Sequence, residues 1–213
     1  MEHSGNLTVI TGTMFAGKTK ELMRLCERAK IAGHPYIIFK PTTDVRSPQG
    51  RIQAADGRLE EAVEVPAETP HAILATLQKS ESERGEPFRL VAIDEGNFFS
   101  SGSGIGEVVN QLANEGYRVV VAGLDLDYMA RPFGAMPELL ALADEVVQLY
   151  AVCMDCGHDR ARFPFRLTDA SEQIVVGGKE SYKALCRGCY LSSMRALGRQ
   201  ASLESQEQDA LRL

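Results

Sequence analysis

Residues 12–19 read GTMFAGKT. The stretch fits G-x-x-x-x-G-K-T, a loop that wraps phosphate oxygens with successive backbone N–H groups. The run before it, Leu7–Gly12, is short, apolar and β-rich, with Val9 and Ile10 at its centre. The segment after it, residues 18–32, sets Leu22, Leu25, Cys26 and Ala29 on one face at helical spacing, and Gly33 stops it. Strand, glycine loop and helix follow in the order a phosphate site needs, because the helix N-terminus adds its own N–H groups. Lys18 would reach the β- and γ-phosphates, and Thr19 would offer a hydroxyl to Mg²⁺. Without its flanks the motif is a glycine turn beside a solvated lysine. Met14 and Phe15 are bulky for a loop with this work.

Outward from the loop, further strands are expected at Pro35–Lys40, Phe88–Asp94, Tyr117–Gly123 and Val146–Tyr150. Helices are expected over Glu68–Ser82 and Ile105–Glu115, with another beginning at Pro137–Leu142. Residues 41–61 are polar and turn-rich, which predicts a long loop or a hairpin. Near-continuous apolar strands alternating with helices predict an α/β fold, P-loop NTPase-like, with a parallel sheet covered on both faces. The expected division is a P-loop domain over 1–150, a small lobe over 151–192 and a tail over 193–213, helical at first and then frayed.

The third strand ends in Asp94, with Glu95 next to it. Ligands collect at the carboxyl ends of parallel strands, where both Gly12 and Asp94 fall. Asp94 is the candidate Mg²⁺ carboxylate. Glu95 could orient water, as in an ATPase or nucleotide switch, or take a proton from a substrate hydroxyl, as in a kinase. The spacing leaves both open.

The chain has 213 residues, a hydrophobic fraction of 44% and a formal charge of −6. The acidic balance argues against nucleic acid or an anionic membrane as the main partner. No apolar run of 18 residues is present, and MEHSGNLTVI lacks the build of a secretory signal, so a cytoplasmic location is expected. Four of the five cysteines form two Cys-x-x-Cys pairs, Cys153/Cys156 and Cys186/Cys189, with 29 residues between them. Two such pairs suit tetrahedral zinc with no open position, hence a structural ion. A redox dithiol would use only one pair. Cys26 lies on an apolar helix face and reads as core. The loop between the pairs holds VVGGKESY at 175–182, where Gly177 and Gly178 allow close backbone approach and Tyr182 offers a ring and a hydroxyl. It is the candidate lid.

The combination GTMFAGKT (12–19), AIDEGNFF (92–99), GLDLDY (123–128), RPFGAMPELLALAD (131–144), AVCMDCG (151–157), VVGGKESY (175–182) and CRGCY (186–190) closely resembles thymidine kinases of the bacterial and animal-cytosolic type. The resemblance implies transfer of the γ-phosphoryl of ATP to the 5′-hydroxyl of thymidine or deoxyuridine, with Mg²⁺ and a structural Zn²⁺. It implies ATP binding by Gly12, Thr13, Ala16, Gly17, Lys18 and Thr19, Mg²⁺ at Thr19 and Asp94, and Glu95 as the base. The nucleoside pocket it implies uses Met14, Tyr128, Val175, Gly177, Gly178 and Tyr182, with Phe98 as a further aromatic surface. Asp44, Arg46, Asp56 and Arg131 are second-tier candidates. Homotetramers or homodimers are typical of the family. Departures are Asn97, where glutamine is frequent, Ala55, where histidine is frequent, and Pro164, where a threonine near the base methyl group is frequent.

Overall fold

A computed structural model describes residues 5–167 and 180–198. Its centre is a six-stranded sheet in which every pairing is parallel. The strands are β1 (Asn6–Thr11), β2 (Tyr36–Pro41), β5 (Val63–Val65), β6 (Leu90–Ile93), β7 (Arg118–Gly123) and β8 (Glu145–Gln148), in the order β5-β2-β6-β7-β1-β8. The sequence signals five of them. The sixth, β5, is three residues long and pairs with β2 through Phe39 and Val63. The turn-rich stretch before it makes a small hairpin, β3 (Arg51–Gln53) with β4 (Leu59–Glu61).

Alternation along the strands explains why both faces are covered. Val9, Val91, Ile93, Val119 and Val121 belong to one apolar cluster, with α2 (Ala72–Arg84), α3 (Ile105–Asn114) and α4 (Met136–Leu142) contributing Ile73, Leu77, Val108, Leu112 and Leu139. The opposite side chains, Ile10, Leu90, Ala92, Val120 and Ala122, meet Leu22, Leu25 and Cys26 of α1 (Lys18–Ile31), with Ile52 of the hairpin closing the layer. A period of two on each strand thus feeds two cores. Burial pushes the Cys26 thiol up to about 12, as expected of a core cysteine.

The lobe has its own core. β9 (Phe163–Arg166) pairs antiparallel with β10 (Tyr182–Leu185), and α5 (Arg187–Ala196) follows. Phe163 stacks on Tyr190 at a centroid distance of 4.9 Å, among Ala161, Phe165, Leu185 and Met194. Phe15, Ala16 and Leu126 of the larger domain pack against this cluster. The bulk of Phe15 therefore serves a junction between the phosphate loop and the lobe.

Candidate active site

The loop adopts the geometry its glycines permit. Gly12 has φ 142°, and a Cβ there would lie 2.2 Å from the carbonyl oxygen of Leu149. Gly17, at φ 88°, is the N-cap of α1 and supplies no side-chain cap, so the first N–H groups of that helix are left for another acceptor. Lys18 donates from Nζ to the Thr13 carbonyl at 2.9 Å. Burial lowers its affinity for a proton, with Glu95 opposing that shift.

The Thr19 hydroxyl donates to Asp94 Oδ2 at 2.9 Å, although the two residues are 75 positions apart. β1 and β6 flank β7, so their carboxyl ends bring the glycine loop and the acidic pair together. Burial, with the neighbouring Glu95 charge, pushes the Asp94 carboxyl up to about 7. A hydroxyl and a carboxylate at this place suit a hard, oxygen-seeking cation, and the high proton affinity of Asp94 is what a site built for a cation shows when only protein charges are present.

The sign of the resulting pH dependence follows. Between about 4 and about 7 the folded metal-free protein binds more protons at Asp94 than the unfolded chain does, so this group's contribution to stability is lost as pH rises through that window. Asp94→Asn is expected to flatten the fall in melting temperature between pH 5 and pH 8 for zinc-loaded protein with Mg²⁺ and nucleotide left out. Parallel melting curves for variant and parent would refute it.

Glu95 follows Asp94 with φ 54°, an uncommon conformation for a residue with a side chain. Its Oε1 is paired with Arg46 Nη2, and its Oε2 is buried with no partner among the described residues. Arg46 also donates from Nε to Asp44 Oδ1 at 3.1 Å, and its guanidinium lies 6.0 Å from the Phe98 ring. Glu95, then desolvation in opposition, then Asp44 leave Arg46 more basic than usual.

A cleft of about 580 Å³ joins these groups. Met14, Lys18, Thr19, Arg46, Asp94 and Glu95 line it, and Glu180 reaches it from the lobe. Tyr128 and Tyr182 are placed differently, around Arg166. The buried guanidinium of Arg166 lies 3.6 Å from the centroid of Tyr128 and 5.6 Å from that of Tyr182. Arg131 is exposed, and its backbone N–H donates to Asp127 Oδ1 at 3.0 Å. Asp56, on the hairpin, pairs with Lys20 at 3.4 Å and Arg58 at 3.2 Å in exposed contacts of small expected worth. Val175, Gly177 and Gly178 lie outside the described residues.

Several residues of the site are not singled out by sequence motifs. Arg166 joins the two tyrosines. Arg162 pairs with buried Asp125 at 2.8 Å, tying the lobe to the loop after β7. Tyr190 donates to the carbonyl of Tyr128 at 3.1 Å and ties the same loop. Asp125, within GLDLD directly after an apolar strand, and Tyr190, at the end of CRGCY, carry a local signal; Arg162 and Arg166 do not.

The four cysteines Cys153, Cys156, Cys186 and Cys189 bring their sulfurs within 4.8 Å of one another. Four thiolates around zinc at about 2.3 Å stand about 3.8 Å apart, and Cys156 Sγ and Cys186 Sγ are 3.7 Å apart. The donor set therefore fits a structural zinc ion. It clasps the segment before β9 to the segment after β10, at the open end of that strand pair.

A parallel sheet, a glycine loop at the end of its β1 and a Thr–Asp pair beside that loop define a P-loop nucleotide-binding protein. A family model described as thymidine kinase matches residues 5–190. The chain is 42% identical to a thymidine kinase of Porphyromonas gingivalis over 186 residues, 87% of this chain and 85% of that protein. It is 41% identical to one of Bacteroides fragilis over 191 residues, 90% and 89% of the two chains. The chain belongs to the thymidine kinase family. Among solved structures, the genome packaging NTPase B204 of Sulfolobus turreted icosahedral virus 2, in complex with ATP-gammaS, matches with a TM-score of 0.45 at 16% identity, over 70% of this chain and 76% of that one. Among the described residues no helix is long and apolar enough to cross a membrane.

Proposed function

We propose that this protein transfers the γ-phosphoryl group of ATP to the 5′-hydroxyl of thymidine, and of deoxyuridine, giving the 5′-monophosphate and ADP. The observation that carries the proposal is Glu95, whose Oε2 has no protein partner among the described residues, in the cleft that Lys18, Thr19 and Asp94 also line. Lys18 and the loop N–H groups hold the β- and γ-phosphates. Thr19 and Asp94 would hold Mg²⁺, which supplies charge neutralisation on the phosphate oxygens. Glu95 accepts a hydrogen bond from the 5′-hydroxyl and takes its proton as the oxygen–phosphorus bond forms, while the electron pair of the breaking bond stays on the β-phosphate oxygen. Met14, at the same cleft, faces the nucleoside, so one loop touches donor and acceptor.

Steady-state phosphorylation of a nucleoside panel by zinc-loaded protein tests this. Thymidine-dependent ADP formation is expected. ATP turnover that ignores nucleoside would favour the ATPase reading of Glu95 instead. The domain limits at 150 and 192, and a homotetramer or homodimer as the family resemblance implies, are part of the same proposal, and light scattering on the full chain measures the assembly.

A further inference from the structure

Lys40, near the end of β2, is fully buried. Its Nζ lies 3.3 Å from Glu64 Oε1 and 3.9 Å from Asp44 Oδ2. It also donates to the carbonyls of Asp44 at 3.2 Å and Pro48 at 3.4 Å. Glu64 Oε1 accepts a further hydrogen bond from the Gly50 N–H at 3.0 Å. One ammonium thus gathers the strand β5 and both ends of the 44–50 segment. Asp44 is buried too, and its Oδ1 accepts from the Arg46 N–H at 3.3 Å and Nε at 3.1 Å. Arg46 pairs with Glu95. Charges alternate from Glu64 through Lys40, Asp44 and Arg46 to Glu95.

Stability alone does not account for this arrangement. A buried ion set can be replaced by apolar packing at little or no loss of stability, whereas removal of one partner leaves an uncompensated charge. What the ions provide is a fixed geometry. The 41–50 stretch contains no helix and no strand beyond Pro41. The Thr42 N–H donates to the Val65 carbonyl at 2.9 Å and the Asp44 N–H to the Pro41 carbonyl at 3.0 Å, which shape the turn. The Arg46 N–H itself donates to a side chain, Asp44 Oδ1. Asp44 thus holds Arg46, and Lys40 holds Asp44.

We propose that Lys40 is a positioning residue for the phosphoryl-transfer step, acting through Asp44 and Arg46 on the carboxylate of Glu95. The inference rests on the assignment of Glu95 as the base. Its Oε2 must meet the substrate hydroxyl, and a displacement of about 1 Å can cost on the order of 10²-fold in rate.

The test measures kcat and KM on the full zinc-loaded chain for Lys40→Met, Lys40→Arg, Arg46→Ala, Glu64→Ala and Glu95→Gln, and for the double variants of Arg46→Ala with Lys40→Met and with Glu64→Ala. Lys40→Met is expected to lower kcat by about tenfold or more, with KM for ATP changed by less than about threefold. Lys40→Arg keeps more of the parent kcat than Lys40→Met. In the Arg46→Ala background, Lys40→Met adds little, because both act on one path. A folded Lys40→Met protein with parental kcat, or kcat losses that multiply independently in the double variant, overturns the proposal. If Lys40→Met fails to fold, Glu64→Ala decides, since its side chain reaches solvent. A kcat loss of about threefold that vanishes beside Arg46→Ala supports the proposal, and an unchanged kcat overturns it. Glu95→Gln separates the two ideas. If it is impaired while Lys40→Met is not, only the positioning role falls. If Glu95→Gln turns over normally, the base assignment falls and the role of Lys40 with it.

Discussion

Glu95→Gln is expected to lower kcat by about 10²-fold or more while ATP binding stays close to that of the parent. Glutamine keeps the shape of the side chain and can still accept a hydrogen bond, but it cannot take the 5′-hydroxyl proton as the new bond forms. The donor site is built from other groups: the loop N–H groups, Lys18, Thr19 and Asp94. KM for ATP should therefore move little, and the loss should fall on kcat. The amide also no longer neutralises Arg46, so a modest change in ATP affinity of either sign is compatible with the prediction. Rapid-quench single turnovers with ATP and thymidine measure the chemical step directly. Turnover within a few-fold of the parent would remove Glu95 as the base.

The second prediction concerns the four-cysteine site. Cys186→Ser is expected to weaken zinc retention and to raise KM for thymidine by roughly tenfold or more, which corresponds to only ~1.4 kcal/mol. Cys186 is the N-cap of α5, directly after β10, and Cys153 and Cys156 precede β9. The four thiolates therefore clasp the open end of the β9–β10 pair, where Phe163 pairs with Leu185, and loss of one loosens the strand pair that carries the connecting loop. The effect should not stop at the nucleoside. Phe15 and Ala16 pack against the lobe core, and the Arg162–Asp125 pair and the Tyr190–Tyr128 hydrogen bond hold the loop after β7. A smaller rise in KM for ATP is expected with it. Metal analysis beside steady-state kinetics reads both effects. Full zinc occupancy with parental KM for thymidine would refute the clamp.

Much of this was legible along the chain for a physical reason. The sheet announces itself because each buried strand is a short apolar run and each helix repeats at its own period. β5 does not, since three residues in a polar stretch carry no period, and only pairing with β2 makes them a strand. Lys18, Thr19, Asp94, Glu95 and the four cysteines stand out because their chemistry depends on neighbours a few positions away. Asp44 and Arg46 enter only through resemblance, because nothing local ties a turn after β2 to a carboxylate after β6.

GTMFAGKT, with the strands and helices around it, was enough to specify a P-loop sheet and a phosphate site, since backbone N–H groups and a lysine in that spacing need no distant partner. The two Cys-x-x-Cys pairs likewise specified a metal clasp. The role of Phe15 as a contact to the lobe, the Arg166 guanidinium between Tyr128 and Tyr182, and the path from Lys40 to Glu95 arise only on folding. Each joins residues brought together by strand order, and a one-dimensional pattern holds no record of which side chains that order makes neighbours.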